Sequence, residues 1–125
     1  MLAPAGKPAA VLRAWSAGAF ELIASPLLLA ELERALAYPK LRARIHESEA
    51  TALIEWLRRS ATIAPDPVDP APWTSHDPGD DYLLALAAHE RAALVSGDRH
   101  LLELAGKLPI YPPAAFLGLL DPAGL

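Results

Sequence analysis

The sequence predicts an α/β fold in which a parallel sheet is covered by helices on both faces. Short apolar runs alternate along the chain with longer segments that have helical periodicity, which is the pattern of a parallel sheet. Turn-forming residues separate these segments, and the apolar residues of the longer ones fall on one helical face. A chain of 125 residues is long enough to bury a core. We therefore predict one domain over residues 1–125.

The first half of the chain predicts three helices and two strands. Pro8 suits the first turn of a helix, and Gly18 suits the position after its end. Ser25-Pro26 is a capping residue followed by a proline that is tolerated in a first turn, and Tyr38-Pro39 ends the helix that begins there. The predicted helices are residues 8–17, 26–38 and 47–59, and the predicted strands are residues 20–24 and 61–64.

The second half begins with a loop and then returns to alternating helices and strands. Residues 65–78 hold five of the 13 prolines, and so they predict a loop rather than a domain boundary. Asp77-Pro78 begins the next helix, which ends near Glu90. The remaining predictions are strands at 92–96 and 108–111 and helices at 99–105 and 113–120.

Composition excludes several kinds of chemistry. The chain has no cysteine, which rules out disulfides, thiolate metal sites and cysteine nucleophiles. This fits a cytoplasmic protein. No apolar run reaches the 18 residues of a membrane span, and the first eight residues lack the pattern of a signal peptide.

Charge is unevenly distributed along the sequence. Six of the 11 basic residues lie between positions 34 and 59, whereas residues 66–81 hold five acids and no base. Solvated helix faces would explain the basic region simply. The alternative is a surface that steers phosphates toward an acidic metal site. Its candidate contacts are Arg42, Arg44, Arg58 and Arg59.

Three acidic residues follow predicted strands. Asp98 comes directly after the strand at 92–96, Asp81 lies early in a helix, and Glu31 lies in the helix after the strand at 20–24. Ligands of parallel sheets bind beyond the carboxyl ends of the strands. We therefore expect these carboxylates to share one edge, where hard cations such as Mg²⁺ and Mn²⁺ prefer oxygen ligands.

Each acidic residue also has a simpler structural explanation. Asp77 suits a helix cap with Asp80 at a capping-box position, and Asp81 complements the helix dipole. Asp98 suits the cap of the helix at 99–105, and Glu31 suits an exposed position. Ser96 is expected to orient a carboxylate or a water, because no histidine lies where it could activate the hydroxyl group.

Several segments, taken in order, resemble the PIN domain family. The resemblance is closest to the branch of toxins from toxin–antitoxin pairs. Any one segment is weakly specific for the family, whereas the ordered set is fairly specific. The matching segments are residues 25–33, 38–40, 77–87, 95–102 and 110–117.

The resemblance implies a three-layer α/β/α fold and an endoribonuclease that depends on Mg²⁺ or Mn²⁺. Glu31, Asp81 and Asp98 match acidic metal ligands of the family, and Ser96 matches a residue that helps hold the site. Asp80 is a further possible ligand. The implied partners are an RNA substrate and a cognate antitoxin.

The sequence departs from the family pattern at its start. Family members open with a buried central strand that ends in an Asp, and residues 2–7 resemble the loop after it. The expectation is a fold that lacks this strand and its carboxylate, with slow cleavage as a result. A missing central strand would expose unpaired backbone groups. We therefore expect a homo-oligomer or a rearrangement near the N-terminus.

Two other functions remain open on the sequence. One is a catalytically inactive PIN-like module that acts through a protein partner such as an antitoxin, which exposed apolar surface would favour. The other is an unrelated α/β regulatory domain in which the acids near residue 80 only cap a helix.

Overall fold

A computed structural model describes residues 7–71, 73–75 and 77–120. The segment before Lys7, on which the expectation of a missing first strand depends, lies outside the described residues, as does His76. Contacts within the chain separate two compact units, Met1–Pro65 and Asp66–Leu125. Each unit is described by itself below, and the single domain over 1–125 stays a prediction.

Unit 1 contains four helices and two short strands. Helix α1 ends at Gly18, whose φ of 84° is the left-handed conformation that glycine adopts without strain. The N–H of Gly18 donates to the carbonyl of Trp15 at 2.9 Å, which closes the helix end. The elements are α1 Lys7–Ser16, β1 Ile23–Ala24, α2 Pro26–Leu36, α3 Pro39–Arg42, α4 Glu47–Ser60 and β2 Thr62–Ile63.

Ser25 begins α2 as its sequence predicts. Its backbone is extended, and its hydroxyl group accepts a hydrogen bond from the N–H of Leu28 at 3.2 Å. Pro26 occupies the first helical position, where no N–H is required. Ser25 is fully buried, so this bond also satisfies a polar side chain that water cannot reach.

The two strands of unit 1 pair in parallel. Ile23 lies opposite Thr62, and Ala24 lies opposite Ile63. The N–H of Thr62 donates to the carbonyl of Leu22, and the N–H of Ala64 donates to the carbonyl of Ala24, both at 2.8 Å. The backbone groups of Ile23 therefore point to the other edge of β1.

The core of unit 1 lies between α2, α4 and β1. Trp15 of α1 and Trp56 of α4 pack against its side, with their ring centroids 4.5 Å apart. The buried members of this core are Ala24, Leu29, Leu36, Ile45, Ala50, Leu53, Ile54 and Leu57.

Unit 2 begins with an irregular segment that leads into its helices and strands. Helix α5 ends at Arg91, which adopts a left-handed conformation with a φ of 53°. The elements are a 3₁₀ turn Pro78–Asp80, α5 Asp81–Glu90, β3 Leu94–Val95, α6 Arg99–Leu102, β4 Ile110–Tyr111 and α7 Pro113–Leu120.

Strands β3 and β4 form a second parallel pair. Leu94 lies opposite Ile110, and Val95 lies opposite Tyr111. The N–H of Leu94 donates to the carbonyl of Pro109 at 2.9 Å, and the N–H of Ser96 donates to the carbonyl of Tyr111 at 3.0 Å. Alternation along β3 turns the backbone groups of Val95 to the opposite edge. Leu84, Leu101 and Ile110 form the buried core of this unit, and Ala71 packs against it.

The architecture is α/β with parallel strands, as the sequence predicts, but the described strands form two separate pairs. Each strand is two residues long, whereas runs of four or five residues were expected. Pro65 and Pro109 limit the pairing because proline donates no ladder hydrogen bond. The three-layer arrangement stays a prediction.

One helix was not predicted. Tyr38-Pro39 does end α2, but Pro39 also begins α3, in which it occupies the first position. In the part of the chain that the structure describes, no helix is both long and apolar enough to cross a bilayer.

Candidate functional site

The same type of turn occurs twice in unit 2, and each occurrence holds one aspartate. In the first, the N–H of Asp77 donates to Oγ of Ser75 at 3.1 Å, and Oδ1 of Asp77 accepts from the N–H of Gly79 at 2.9 Å. The same bonds recur further along the chain. There the N–H of Asp98 donates to Oγ of Ser96 at 3.0 Å, and Oδ1 of Asp98 accepts from the N–H of His100 at 2.8 Å. Each Ser-x-Asp sequence thus fixes one aspartate at the start of a helical turn.

These turns confirm the capping geometry of Asp77 and Asp98. The capping box between Asp77 and Asp80 does not form, because the N–H of Asp77 bonds to Ser75 instead. Gly79 matters to the first turn, since a Cβ at that position would lie 3.2 Å from Oδ1 of Asp77. Each cap occupies Oδ1 of its aspartate.

Asp80 differs from these aspartates because its side chain caps nothing. Its Oδ2 is buried and has no hydrogen-bond partner among the described residues. A buried carboxylate oxygen without a partner is destabilising, so its presence calls for a cause other than stability.

The surroundings of Asp80 are electrostatically unfavourable for its charged form. Burial raises the pKa of Asp80 above the ordinary carboxyl value, and the negative charges of Asp77 and then Asp98 raise it further. His100 acts in the opposite direction. Asp77, Asp98 and His100 are therefore the side chains that act electrostatically on Asp80, and we name Asp77, Asp80 and Asp98 the carboxylate cluster.

Asp81, the adjacent candidate, makes a different contact. Its Oδ1 accepts a hydrogen bond from the N–H of Ser75 at 2.9 Å. Asp81 therefore ties the start of α5 to the loop that carries the first Ser-x-Asp turn. The sequence favoured Asp81 over Asp80 as a metal ligand, whereas the structure places Asp80 where it interacts with Asp98.

Ser96 and Glu31 have defined local contacts. Oγ of Ser96 accepts from the backbone N–H of Asp98 at 3.0 Å, and its role in orienting a carboxylate or a water stays a prediction. Glu31 lies in α2 of unit 1 and forms an ion pair with Arg34 one turn later. Its convergence with Asp81 and Asp98 stays a prediction.

The four arginines proposed to contact phosphates fall into two pairs. Arg42 forms an ion pair with Glu47 at 3.4 Å, and Arg58 forms one with Glu33 at 3.3 Å. Both line a groove of about 250 Å³ in unit 1. Arg44 and Arg59 are exposed, and neither forms an ion pair with another residue of the described ranges.

The two units also differ in the sign of their net charge. Residues 1–65 carry eight basic and six acidic side chains, whereas residues 66–125 carry three basic and nine acidic ones. Over the ranges that the structure covers, no three Asp, Glu or His side chains come close enough together to coordinate one ion.

Comparison with known proteins identifies the family. Residues 1–100 match the family model for the PIN domain. The chain belongs to the PIN domain family. PIN domains are generally nucleases that depend on divalent metal ions, and the resemblance seen in the sequence is confirmed at that level. Searches of curated proteins and of solved structures each found no match.

Replacing Asp80 by Asn should stabilise the metal-free protein near neutral pH by less than about 1 kcal/mol, because it removes a negative charge that burial and two neighbouring acids disfavour, and solvent screens part of that effect. A raised carboxyl pKa means that protonation of Asp80 favours the folded state. This stabilisation is present below the ordinary carboxyl pKa and is lost as the pH rises through the raised value. The advantage of Asp80→Asn should therefore shrink toward about pH 4. Thermal unfolding in EDTA measures this difference in stability between Asp80→Asn and the wild type.

Asp81→Asn is the matched control, because it changes the same charge one residue away. Its side chain accepts a bond from Ser75, so the change should give no stabilisation. Equal melting temperatures for the wild type and Asp80→Asn at neutral pH would contradict the electrostatic description of Asp80.

Proposed function

We propose that this PIN domain is a ribonuclease that depends on Mg²⁺ or Mn²⁺ and acts as the toxin of a toxin–antitoxin pair. The observation that carries the proposal is the buried Oδ2 of Asp80, which has no hydrogen-bond partner and lies among other acids. Family membership supports nuclease chemistry in general. The dependence on these metals, the toxin role and the residues are the proposal.

The carboxylate cluster suits a hard divalent cation by the chemistry of its donors, although within the described ranges its side chains do not lie close enough together to share one ion. Its donors are carboxylate oxygens, which are the ligands that Mg²⁺ and Mn²⁺ prefer. The caps of Asp77 and Asp98 each use Oδ1 of the carboxylate, so neither cap engages Oδ2. A bound cation would also offset the repulsion that raises the pKa of Asp80.

We assign Asp80 and Asp98 as the ligands from unit 2. Glu31 completes the set in this proposal because it matches the acidic helical position of the family. When bound, the ion would supply Lewis acidity that activates water and neutralises charge on the scissile phosphate. Asp81 remains a candidate, although its contact with Ser75 favours a positioning role.

The remaining residues of the site hold these ligands in place. Ser96 fixes the backbone of Asp98, and Ser75 does the same for Asp77. Asp81 binds the N–H of Ser75 and so fixes the loop against α5. Rigid turns of this kind reduce the reorganisation needed when substrate binds.

Partner binding is the second part of the proposal. Among the described residues, β1 and β3 each pair on one side, and the backbone groups of Ile23 and Val95 point to the other. Free strand edges of this kind recruit another strand. We propose that a second copy of the chain occupies the edge of β3, and that an antitoxin is the regulatory partner.

These same edges favour the alternative function, a module without catalysis that acts through its protein partner. Co-expression with the product of the neighbouring gene tests the antitoxin. A complex that forms while the isolated chain neither binds Mn²⁺ nor cleaves RNA would select this alternative.

Asp80→Asn and Asp98→Asn should each lower Mn²⁺ affinity at least about tenfold, as expected for loss of a metal contact. Isothermal titration and the Mn²⁺-induced rise in melting temperature measure this, and cleavage of a fluorescent RNA should fall in parallel. Asp81→Asn should retain more affinity than Asp80→Asn. The reverse order would assign the ligand to Asp81 and contradict the choice of Asp80.

Two glutamates of helix α2 test whether unit 1 contributes a ligand to Mn²⁺ binding. Glu31→Gln should weaken Mn²⁺ binding, whereas Glu33→Gln, which removes an acid paired with Arg58, should not. Equal effects of the two variants would remove Glu31 from the site.

Arg44→Gln and Arg59→Gln should weaken RNA binding more than Arg42→Gln and Arg58→Gln. The latter two arginines already form ion pairs with glutamates, so less of their charge is available to phosphates. Each effective change should reduce the dependence of log affinity on log salt by about 1. Fluorescence anisotropy between about 50 and 200 mM salt measures this slope. Equal slopes for all four variants would contradict an RNA contact by Arg44 and Arg59.

Val95→Pro should abolish self-association while preserving the fold, because it removes an N–H that faces the free edge of β3. Light scattering across a range of concentrations measures the oligomeric state. Leu94→Pro is the contrast, because the N–H of Leu94 donates within the sheet and its loss should destabilise the unit. A wild type that is monomeric at every concentration would contradict the proposed second copy.

A further inference from the structure

Trp73 is an exposed aromatic residue in the loop that leads to the carboxylate cluster. Its relative exposure is 39%, although burying an indole ring is strongly favourable. The tryptophans of unit 1 behave differently, since Trp15 and Trp56 pack against each other beside the core. An indole that stays accessible to solvent at this point requires another explanation.

Lys107 lies over the ring of Trp73. Its Nζ is 4.5 Å from the ring centroid, within the range of a cation–π interaction. This contact orients the indole and places a positive charge beside it. Unit 2 has only three basic residues in its sequence, so the position of this one against an aromatic ring is informative.

The loop is anchored on both sides of Trp73. Ala71 packs against the core of Leu84, Leu101 and Ile110. Two residues after Trp73, the N–H of Ser75 donates to Oδ1 of Asp81. Two residues of extended chain span at most about 7 Å. The Cα of Trp73 therefore lies within that distance of a residue that contacts the start of α5.

We propose that Trp73 and Lys107 form a binding platform for an unpaired base of single-stranded RNA. The indole would stack on the base, and Lys107 would contact a neighbouring phosphate. This inference rests on the proposed nuclease function, because it supplies a contact that draws the strand toward the carboxylate cluster. Stacking is tolerant of sequence, since every base presents a flat face. The platform thus selects unpaired RNA rather than a particular base.

Stacking is especially suited to this part of the molecule. The acids of residues 66–81 repel a phosphate backbone, so affinity from charge alone is weak here. An aromatic face attracts the base without regard to that repulsion. The rival explanation is that the ring and Lys107 only join two loops of unit 2, in which case RNA gains nothing from them.

The experiment compares two probes on the full chain in EDTA, where metal-dependent cleavage cannot occur. One probe is an oligouridylate, and the other is an abasic oligomer with the same number of phosphates. Trp73→Ala should weaken binding of the oligouridylate about tenfold and leave the abasic oligomer unchanged. Lys107→Gln should weaken both probes. Trp73→Phe should restore part of the loss, because it keeps an aromatic face.

Fluorescence gives an independent measure of the same contact. The oligouridylate should quench the tryptophan emission of the wild type more strongly than that of Trp73→Phe, because the difference between the two is the share that Trp73 contributes. Val68→Ala is the matched control, because Val68 is 99% exposed in the same loop. It should change neither affinity nor quenching.

Two results would overturn the platform. One is an unchanged affinity of Trp73→Ala for the oligouridylate, with any effect confined to melting temperature. The other is quenching of equal size in Trp73→Phe and the wild type. The Mn²⁺ thermal shift of Trp73→Ala separates this test from that of the proposed function, because Trp73 is not a ligand. A normal shift with unchanged RNA affinity rejects the platform alone, whereas base-dependent binding without any Mn²⁺ response rejects the nuclease and retains the platform.

Discussion

The proposed site in unit 2 depends on an unfavourable arrangement, in which the Asp80 carboxylate is partly buried and two other acids act on it. Burial first, and then the negative charges of Asp77 and Asp98, oppose its ionisation, and its Oδ2 is buried without a partner among the described residues. Such a group persists only when the surrounding backbone is held firmly by other bonds. Here the two Ser-x-Asp turns provide that support, because each fixes its own chain segment by two local hydrogen bonds. The turns thus stabilise the site, whereas the buried Oδ2 of Asp80 destabilises it.

The element order could be predicted from the sequence, because it depends on local signals. Ser25, Pro26 and Gly18 act within a few residues, and the structure places them as their conformational preferences require. Strand length was overestimated because an apolar run predicts burial but does not predict how many of its backbone groups form hydrogen bonds with a neighbouring strand. Pro39 was interpreted only as a stop, although the same rigid φ that ends one helix also begins another.

The choice between Asp80 and Asp81 could not be made from the sequence. Adjacent residues of a helix point about 100° apart, so a shift of one residue in the helix start would turn Asp81 into the direction that Asp80 has. The 3₁₀ turn over Pro78–Asp80 sets that start, and its length follows from how Asp77 binds Gly79. The shared Ser-x-Asp pattern before residues 77 and 98 was the signal in the sequence that would have linked Asp77 to Asp98. Local patterns identify Glu31 as matching a position of the family, but they encode no distance between it and the aspartates.

The contrast between the two units suggests how an acidic protein can bind RNA. An excess of basic residues in unit 1 attracts phosphates over a distance, whereas the excess of acids in unit 2 repels them unless a cation is present. Divalent ions at the carboxylate cluster would therefore act on binding as well as on chemistry. A residue such as Trp73, whose attraction for a base does not depend on charge, would then matter most when the cation is absent. The affinity of unit 2 for RNA should accordingly have two contributions, one that depends on bound metal and one that depends on the presence of a base.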